Sequence, residues 1–190
     1  MYTLICDSAT KVLYMTLVVD DKVIEERYYE DGKKHSIHIV KGLEEMLVKY
    51  HLKAKDIDKF ICGIGPGSYT GVRMAVTVAK MFGDFTKTKV YTISTLALMA
   101  SKQKGKVLSY IDARNNNAFG AIYLDLEPIL PDSFIDIDTL KSKEYDTIVT
   151  DDNFKVDALK VISKAKLVEE VDLLIPNYLR ATEAERSLHD

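Results

Sequence analysis

The residues best placed to do chemistry form a glycine-rich turn between an apolar segment and an amphipathic one. Its glycines stand at positions 63, 65, 67 and 71. A strand-to-helix turn of this kind can direct backbone N–H groups at an anion. It is not a Walker turn, because no lysine precedes a Ser or Thr after Gly71, and its spacing is not G-x-G-x-x-G. Composition alone favours a tight packing turn capped by Ser68, and a phosphate site stays the alternative.

Two carboxylates end apolar segments at comparable places in the two halves of the chain, Asp7 and Asp112. One carboxylate on each side of a cleft is the arrangement that a bound nucleotide needs. The functional hypothesis is a vestigial nucleotide site made of Asp7, Gly65, Gly67, Ser68 and Asp112. The residues themselves favour the other interpretation, in which each aspartate forms a turn or a cap. Arg73 and Arg114 are candidates to pair with these carboxylates or to contact phosphate.

Metal-dependent or nucleophilic catalysis has little support in the sequence. The chain has four histidines. His35 and His38 are three residues apart, but a third ligand at a suitable spacing is missing, so we predict no metal site and place both imidazoles on a solvated helix start. Ser68 does not lie in a G-x-S-x-G elbow. We predict no catalytic residue and no activity of this chain alone.

The elements that must position these residues follow from apolar periodicity. Strands are predicted at 2–7, 12–19 and 22–29, as an antiparallel meander, and then at 60–65 and 90–93. Helices are predicted at 36–50, at 69–84 and after a cap at residues 94–95. This order is typical of an α/β fold of the RNase H-like type. The segment 102–106 is the predicted boundary between an N-terminal lobe, 1–104, and a smaller C-terminal lobe, 105–190.

The second predicted helix is too apolar to be covered by one sheet. Its apolar and small residues span an arc of about 220°, against roughly 100° for a helix buried on one side. One edge of the arc carries small residues and the other carries large ones, and the sequence does not show which edge faces inward. The first helix is similar, so both are predicted to bind a protein partner. The alternative is that the two helices only cover each other and the second lobe. The predicted interface residues are Ile37, Val40, Met46, Met74, Ala75, Val78, Ala79 and Met81.

Charge and composition exclude several classes of function. Residues 1–106 hold 17 Lys and Arg against 12 Asp and Glu, whereas residues 107–190 hold 9 against 17, which gives +5 and −8. The second half should repel a phosphate backbone, so direct tRNA binding is not predicted. The apolar stretches are too short to cross a bilayer and the chain starts with no secretory signal, so we expect a cytoplasmic protein without a membrane contact. Cys6 and Cys62 are expected to be buried thiols.

Several segments, in order, resemble the TsaB family. The sequence GPGSYTGVR at 65–73 is similar to the family's GPGSFTGLR, and CDSAT at 6–10, HS at 35–36, ISTLALMA at 93–100, IDAR at 111–114 and PNYLR at 176–180 are similar to its other landmarks. Two positions depart from the pattern. Ile37 stands where the family has glutamate, and three asparagines follow IDAR.

The resemblance implies a two-lobed RNase H-like fold of the actin and sugar-kinase superfamily with a reduced second lobe. It implies a non-catalytic subunit that binds TsaD through its first two helices and meets the ATPase TsaE within the complex, which transfers threonylcarbamoyl to the tRNA adenosine 3′ of the anticodon. It implies tRNA contact only through the complex, a homodimer when alone, and no tightly bound cofactor, with weak ATP or ADP binding at most. The alternatives are an actin-like ATP-binding kinase or transferase active by itself, and an RNA-binding module.

Overall fold

The first lobe is built on a six-stranded sheet. A computed structural model describes residues 1–30 and 35–179. The strands of this sheet are β1 (Tyr2–Asp7), β2 (Leu13–Val19), β3 (Lys22–Tyr29), β4 (Lys59–Gly63), β5 (Lys89–Ile93) and β10 (Lys166–Leu167), in the order β10-β5-β4-β1-β2-β3. The first three form the predicted antiparallel meander, and β4 and β5 run parallel to β1.

The second lobe repeats this topology with fewer elements. Its strands are β6 (Lys106–Asp112), β7 (Asn117–Leu124), β8 (Glu127–Asp136) and β9 (Thr147–Thr150), in the order β8-β7-β6-β9. As in the first lobe, an antiparallel meander is followed by a strand parallel to its first member. The predicted α/β fold with two RNase H-like lobes, the second reduced, is confirmed.

Helices cover the faces of the sheets. They are α1 (His35–Lys49), α2 (Tyr69–Thr86), α3 (Thr95–Ala100), α4 (Ile137–Lys141) and α5 (Ala158–Lys164). The Ser68 hydroxyl caps α2 by accepting the Gly71 N–H, and Ser94 caps α3, because a side-chain oxygen satisfies amides that a first turn leaves without partners. None of the helices in the described part of the chain has the length and apolarity needed to cross a bilayer.

Period-two alternation along β1 sorts its side chains between two cores. Leu4 and Cys6 pack with α1 and α2 on one face of the sheet. Ile5 points to the other face, where it joins α3 and the second lobe. All six residues of α3 are buried. This helix therefore serves as a shared core that holds the two lobes together.

The residues after α5 do not follow the predicted boundary of the second lobe. Lys166 and Leu167, assigned to 105–190 from sequence, instead pair with β5 of the first sheet. The following residues also pack on the first lobe, where the Asn177 N–H donates to the Ile64 carbonyl at 2.8 Å. Residues 124–157, where the apolar pattern of the sequence is too weak to predict elements, contain β8, α4 and β9. The sequence after PNYLR is typical of a short polar helix, but it and Arg180 lie outside the described residues.

A network around Arg27 fixes the position of α1 on the sheet. The guanidinium of this β3 residue donates to Glu25 at 2.6 Å, to Glu45 of α1 at 3.0 Å and to the Gly42 carbonyl at 3.3 Å. His38 of α1 stacks on the Tyr29 ring at 4.9 Å between centroids. These contacts tie the edge strand to the inner side of α1.

Candidate partner-binding face and interlobe cleft

A cleft of about 610 Å³ lies between the lobes. Gly67 and Ser68 line it from the glycine turn, and Asp112 lines it from the end of β6. The structure therefore brings three of the five predicted nucleotide-site residues to one cavity. Asp7 and Gly65 are not among the residues that line it.

Asp7 is enclosed by its own lobe. Its carboxylate accepts the Thr95 hydroxyl at 2.6 Å and the Ala9 N–H at 2.8 Å, and only 2% of the residue is exposed. A Cβ on Gly63 would lie 1.7 Å from the Asp7 Oδ2 atom. Burial raises the pKa of this carboxyl, since desolvation disfavours the charged form. Asp7 thus joins β1, β4 and the start of α3, which is a structural use.

The glycine turn packs backbone to backbone against the loop that follows β1. The Ser68 N–H donates to the Ala9 carbonyl at 2.7 Å, and a Cβ on Gly67 would lie 2.3 Å from the same oxygen. The Gly65 N–H donates to the Thr95 hydroxyl at 3.0 Å. These amides are used within the chain, and the glycines permit an approach that a side chain would block. The geometry therefore favours the packing turn over the phosphate site.

The large edge of α2 forms an exposed apolar face together with α1. A groove of about 280 Å³ runs between the two helices and is lined almost entirely by apolar side chains, among them Val40, Leu43, Leu47, Val78 and Met81. Ile37 and Val40 of α1 are each 60% exposed, Met81 is 52% exposed and Phe85 is 81% exposed. Contiguous exposed apolar surface of this kind typically marks an interaction site.

Comparisons with known proteins agree with this architecture. A family model for TsaD, the tRNA N6-adenosine threonylcarbamoyltransferase, matches residues 23–154. The tRNA threonylcarbamoyladenosine biosynthesis protein TsaB of Bacillus subtilis is 26% identical over 221 residues, which covers 97% of this chain and 96% of that protein. This chain belongs to the TsaB family. The TsaB of Escherichia coli is 28% identical over 128 residues, 65% of this chain and 55% of that one. YeaZ from Pseudomonas aeruginosa shares the fold, with a TM-score of 0.76 at 18% identity over 94% of this chain and 99% of that structure.

In this member of the TsaB family, part of the predicted interface lies in the core. Met46, Ala75 and Ala79 have no exposed surface. These three are corrected to core residues, because the small edge of α2 and the inner side of α1 pack in the core over the first sheet. Val78, on the large edge of α2, is 8% exposed and lines the groove between the helices. Met74 is half-buried. It lines the cleft and also the upper groove, the part of the groove between the helices that lies near Tyr69 and Arg73. The predicted residues that reach the surface are Ile37, Val40 and Met81.

The prediction of a solvated His35 in this TsaB-family chain is wrong. His35 is buried, not solvated, and its Nε2 atom lies 3.0 Å from the Lys11 carbonyl oxygen. Arg73 reaches neither Asp7 nor Asp112 but donates to the Tyr69 hydroxyl at 2.7 Å. Among the described residues no cluster of three or more His, Cys, Asp or Glu could hold a metal ion.

The raised pKa of Asp7 predicts a pH dependence of stability. A carboxyl whose pKa is higher in the folded state favours folding below its ordinary value of 3.8, and this stability is lost as the pH rises toward the folded-state pKa. The loss is about 1.4 kcal/mol per pH unit across that window. Asp7→Asn removes the ionisation at nearly the same volume. We therefore expect the free energy of unfolding of the variant, relative to the wild type, to increase as the pH rises from 4.

Urea denaturation at several pH values measures this difference. A constant offset between the two proteins reports only the altered hydrogen bonds to Thr95 and Ala9. Parallel stability curves from pH 4 to 8 would show that Asp7 titrates normally in the folded protein.

Proposed function

We propose that this chain is a supporting subunit of the machinery that makes threonylcarbamoyladenosine in tRNA, and that it binds a TsaD-type transferase through α1 and α2. Its membership of the TsaB family supports the pathway. The observation that carries the proposal is the exposed groove between the two helices, lined by Val40, Val48 and Met81. A helix of the partner laid in this groove would bury those side chains, which is the usual mode of helix-in-groove recognition.

We further propose that this chain contacts the ATPase TsaE and the tRNA only within the assembled complex, in the cytoplasm. Without TsaD, the same apolar face forms a homodimer. The main alternative is an actin-like ATP-binding kinase. The groups that would bind the nucleotide have structural roles instead, since Asp7 is buried and the Ser68 N–H is hydrogen-bonded to the Ala9 carbonyl. Any ATP or ADP in the cleft is therefore proposed to bind weakly.

A pair of arginine substitutions tests the proposed face. Met81→Arg places a charge on the helix groove, whereas Ile129→Arg does the same on β8 of the second lobe, where the side chain is 53% exposed, close to the 52% of Met81. We expect Met81→Arg to weaken binding of TsaD from the same organism by about 30-fold or more, as for an interface hot spot. Ile129→Arg should leave binding unchanged. Size-exclusion chromatography and biolayer interferometry measure the complex.

Thermal melts of both variants check that each remains folded. Equal binding by the two variants would place the TsaD contact elsewhere on the molecule. Micromolar ATP binding by the chain alone, abolished by Asp7→Ala, would support the kinase-like alternative instead.

A further inference from the structure

The segment after β10 runs along the flank of α2 that faces away from α1. The Lys80 ammonium donates to the Asp172 carbonyl at 2.8 Å, and a Cβ on Gly83 would lie 2.8 Å from the Val171 Cγ1 atom. At 100° per residue, Gly83 and Lys80 lie about 120° and 180° from Gly71 around the helix, whereas the exposed groove residue Met81 lies at about 280°. An outward ridge of α2 therefore has α1 on one side and this segment, residues 171–179, on the other.

Side chains from both lobes hold the segment in place. Besides the backbone bond to Ile64, the Asn177 amide donates to the Asp132 carboxylate at 3.1 Å. Asp132 belongs to β8, and it also accepts the Ser94 hydroxyl at 2.7 Å and the hydroxyl of Tyr123. A carboxylate with three side-chain donors is well fixed. The segment is thus anchored across the junction of the lobes rather than lying loosely on the surface.

This anchoring places Tyr178 against the first residue of α2. The rings of Tyr178 and Tyr69 stack at 5.4 Å between centroids with 30° between their planes. The Arg73 guanidinium lies 5.1 Å from the centre of the Tyr69 ring and donates to its hydroxyl. Both tyrosines are 46% exposed. The result is an ordered stack of one arginine and two tyrosines that is open to solvent at one end of the ridge.

The stack is continuous with the apolar face of the helices. Tyr69 and Arg73 line the upper groove together with Met74 and Met81. Leu173 and Ile175, in the same segment as Tyr178, also expose most of their surface. Tyrosine and arginine are among the residues most enriched at interface hot spots, and side chains already held in place lose little entropy on binding. This chemistry fits a partner that offers an apolar or aromatic side chain to Tyr178 and a carboxylate to Arg73.

We infer that residues 171–179 form a third element of the partner-binding surface, with Tyr178 as a contact residue and Asp132 as a positioning residue. The inference rests on the proposed function, because the occupant is the same TsaD-type subunit. It adds a contact that lies outside both helices and that depends on the second lobe, through β8, for its position.

The test measures the affinity of full-length variants for TsaD from the same organism. We expect Tyr178→Ala to weaken binding by about tenfold or more, and Tyr178→Phe, which keeps the stacking ring, to bind within about threefold of the wild type. Asp132→Asn should weaken binding by an intermediate factor, because it disturbs the Asn177 anchor without removing a contact. Leu124→Ala on the second lobe, 44% exposed, is the matched control and should bind normally.

The outcomes separate this inference from the proposed function. If Met81→Arg weakens binding but Tyr178→Ala does not, the helix face stands and the third element is wrong. If the wild-type chain fails to bind TsaD, the proposed function itself is wrong. If Tyr178→Ala leaves TsaD binding intact but lowers the affinity of the assembled complex for tRNA, the stack contacts RNA bases and the inference is overturned. A large drop in the melting temperature of Tyr178→Ala, not seen for Tyr178→Phe, would make the stack a folding element instead.

Discussion

Replacement of Ala75 by arginine is expected to abolish the folded state of this protein. Ala75 lies on the small edge of α2 with no exposed surface, within the core between this helix and the first sheet. An arginine there would bury a charge without a partner, which costs several kcal/mol or more, and would also overpack the core. A domain of this size is stabilised by only about 5–15 kcal/mol, so loss of most of the soluble folded protein is the expected result. Circular dichroism, thermal melts and soluble yield measure it.

The matched control is Met81→Arg on the same helix. Its side chain is 52% exposed, so the guanidinium can remain in water and the melting temperature should change by only a few degrees. A wild-type melt for Ala75→Arg would mean that α2 does not pack on the sheet by its small edge. Unfolding of both variants would mean that the outer side of α2 is also internal, and the proposed docking face would be lost.

The sequence predicts much of the fold because its local signals agree with one another. β1, an apolar run, and β3, which is rich in β-branched and aromatic residues, have the predicted bounds. Ser68 and Ser94 mark the starts of α2 and α3 as caps. The sequence also predicts the wide apolar arc of α2. It does not predict which edge of the arc faces the sheet, because a helical wheel sorts residues by type and both edges of this arc are apolar.

The remaining features depend on contacts between distant residues. β10 has only two residues and pairs with β5 more than 70 positions earlier, which is too short for a local pattern. His35 is buried because the loop after β1 folds over it, and Asp7 is enclosed by Gly63 and Thr95. For the same reason the role of residues 171–179 was missed. Phe85 lies on the large edge of the arc. Its exposure follows only once the small edge is known to face the sheet.

Gly71→Ala is the second substitution with a large expected effect, and it distinguishes the two uses of the glycine turn. A Cβ at this position would lie 2.0 Å from the Ser8 carbonyl oxygen. The Ser8 hydroxyl also donates to the Gly71 carbonyl at 2.6 Å, so the two backbones are held together from both sides. Alanine in a helix is otherwise favoured over glycine by about 1 kcal/mol. The clash with a fixed backbone should outweigh this gain and destabilise the protein by about 3 kcal/mol or more, at or beyond the upper end for overpacked sites.

The same exchange near the end of α2 is the control. A Cβ on Gly83 would lie 2.8 Å from the Val171 Cγ1 atom and 3.1 Å from the Val90 Cγ2 atom. These are side-chain methyl groups, stiff about χ1 but free to shift slightly, whereas a Cβ on Gly71 meets backbone. Helix propensity should therefore offset part of the contact, and Gly83→Ala should cost clearly less stability than Gly71→Ala. Urea denaturation of both variants gives the comparison. If the turn is a packing element, Gly71→Ala loses much more stability than Gly83→Ala. If Gly71→Ala is as stable as the wild type, the close approach of the turn to Ser8 is not required for folding. The packing interpretation of the turn is then wrong, and a phosphate site becomes the better explanation of its glycines.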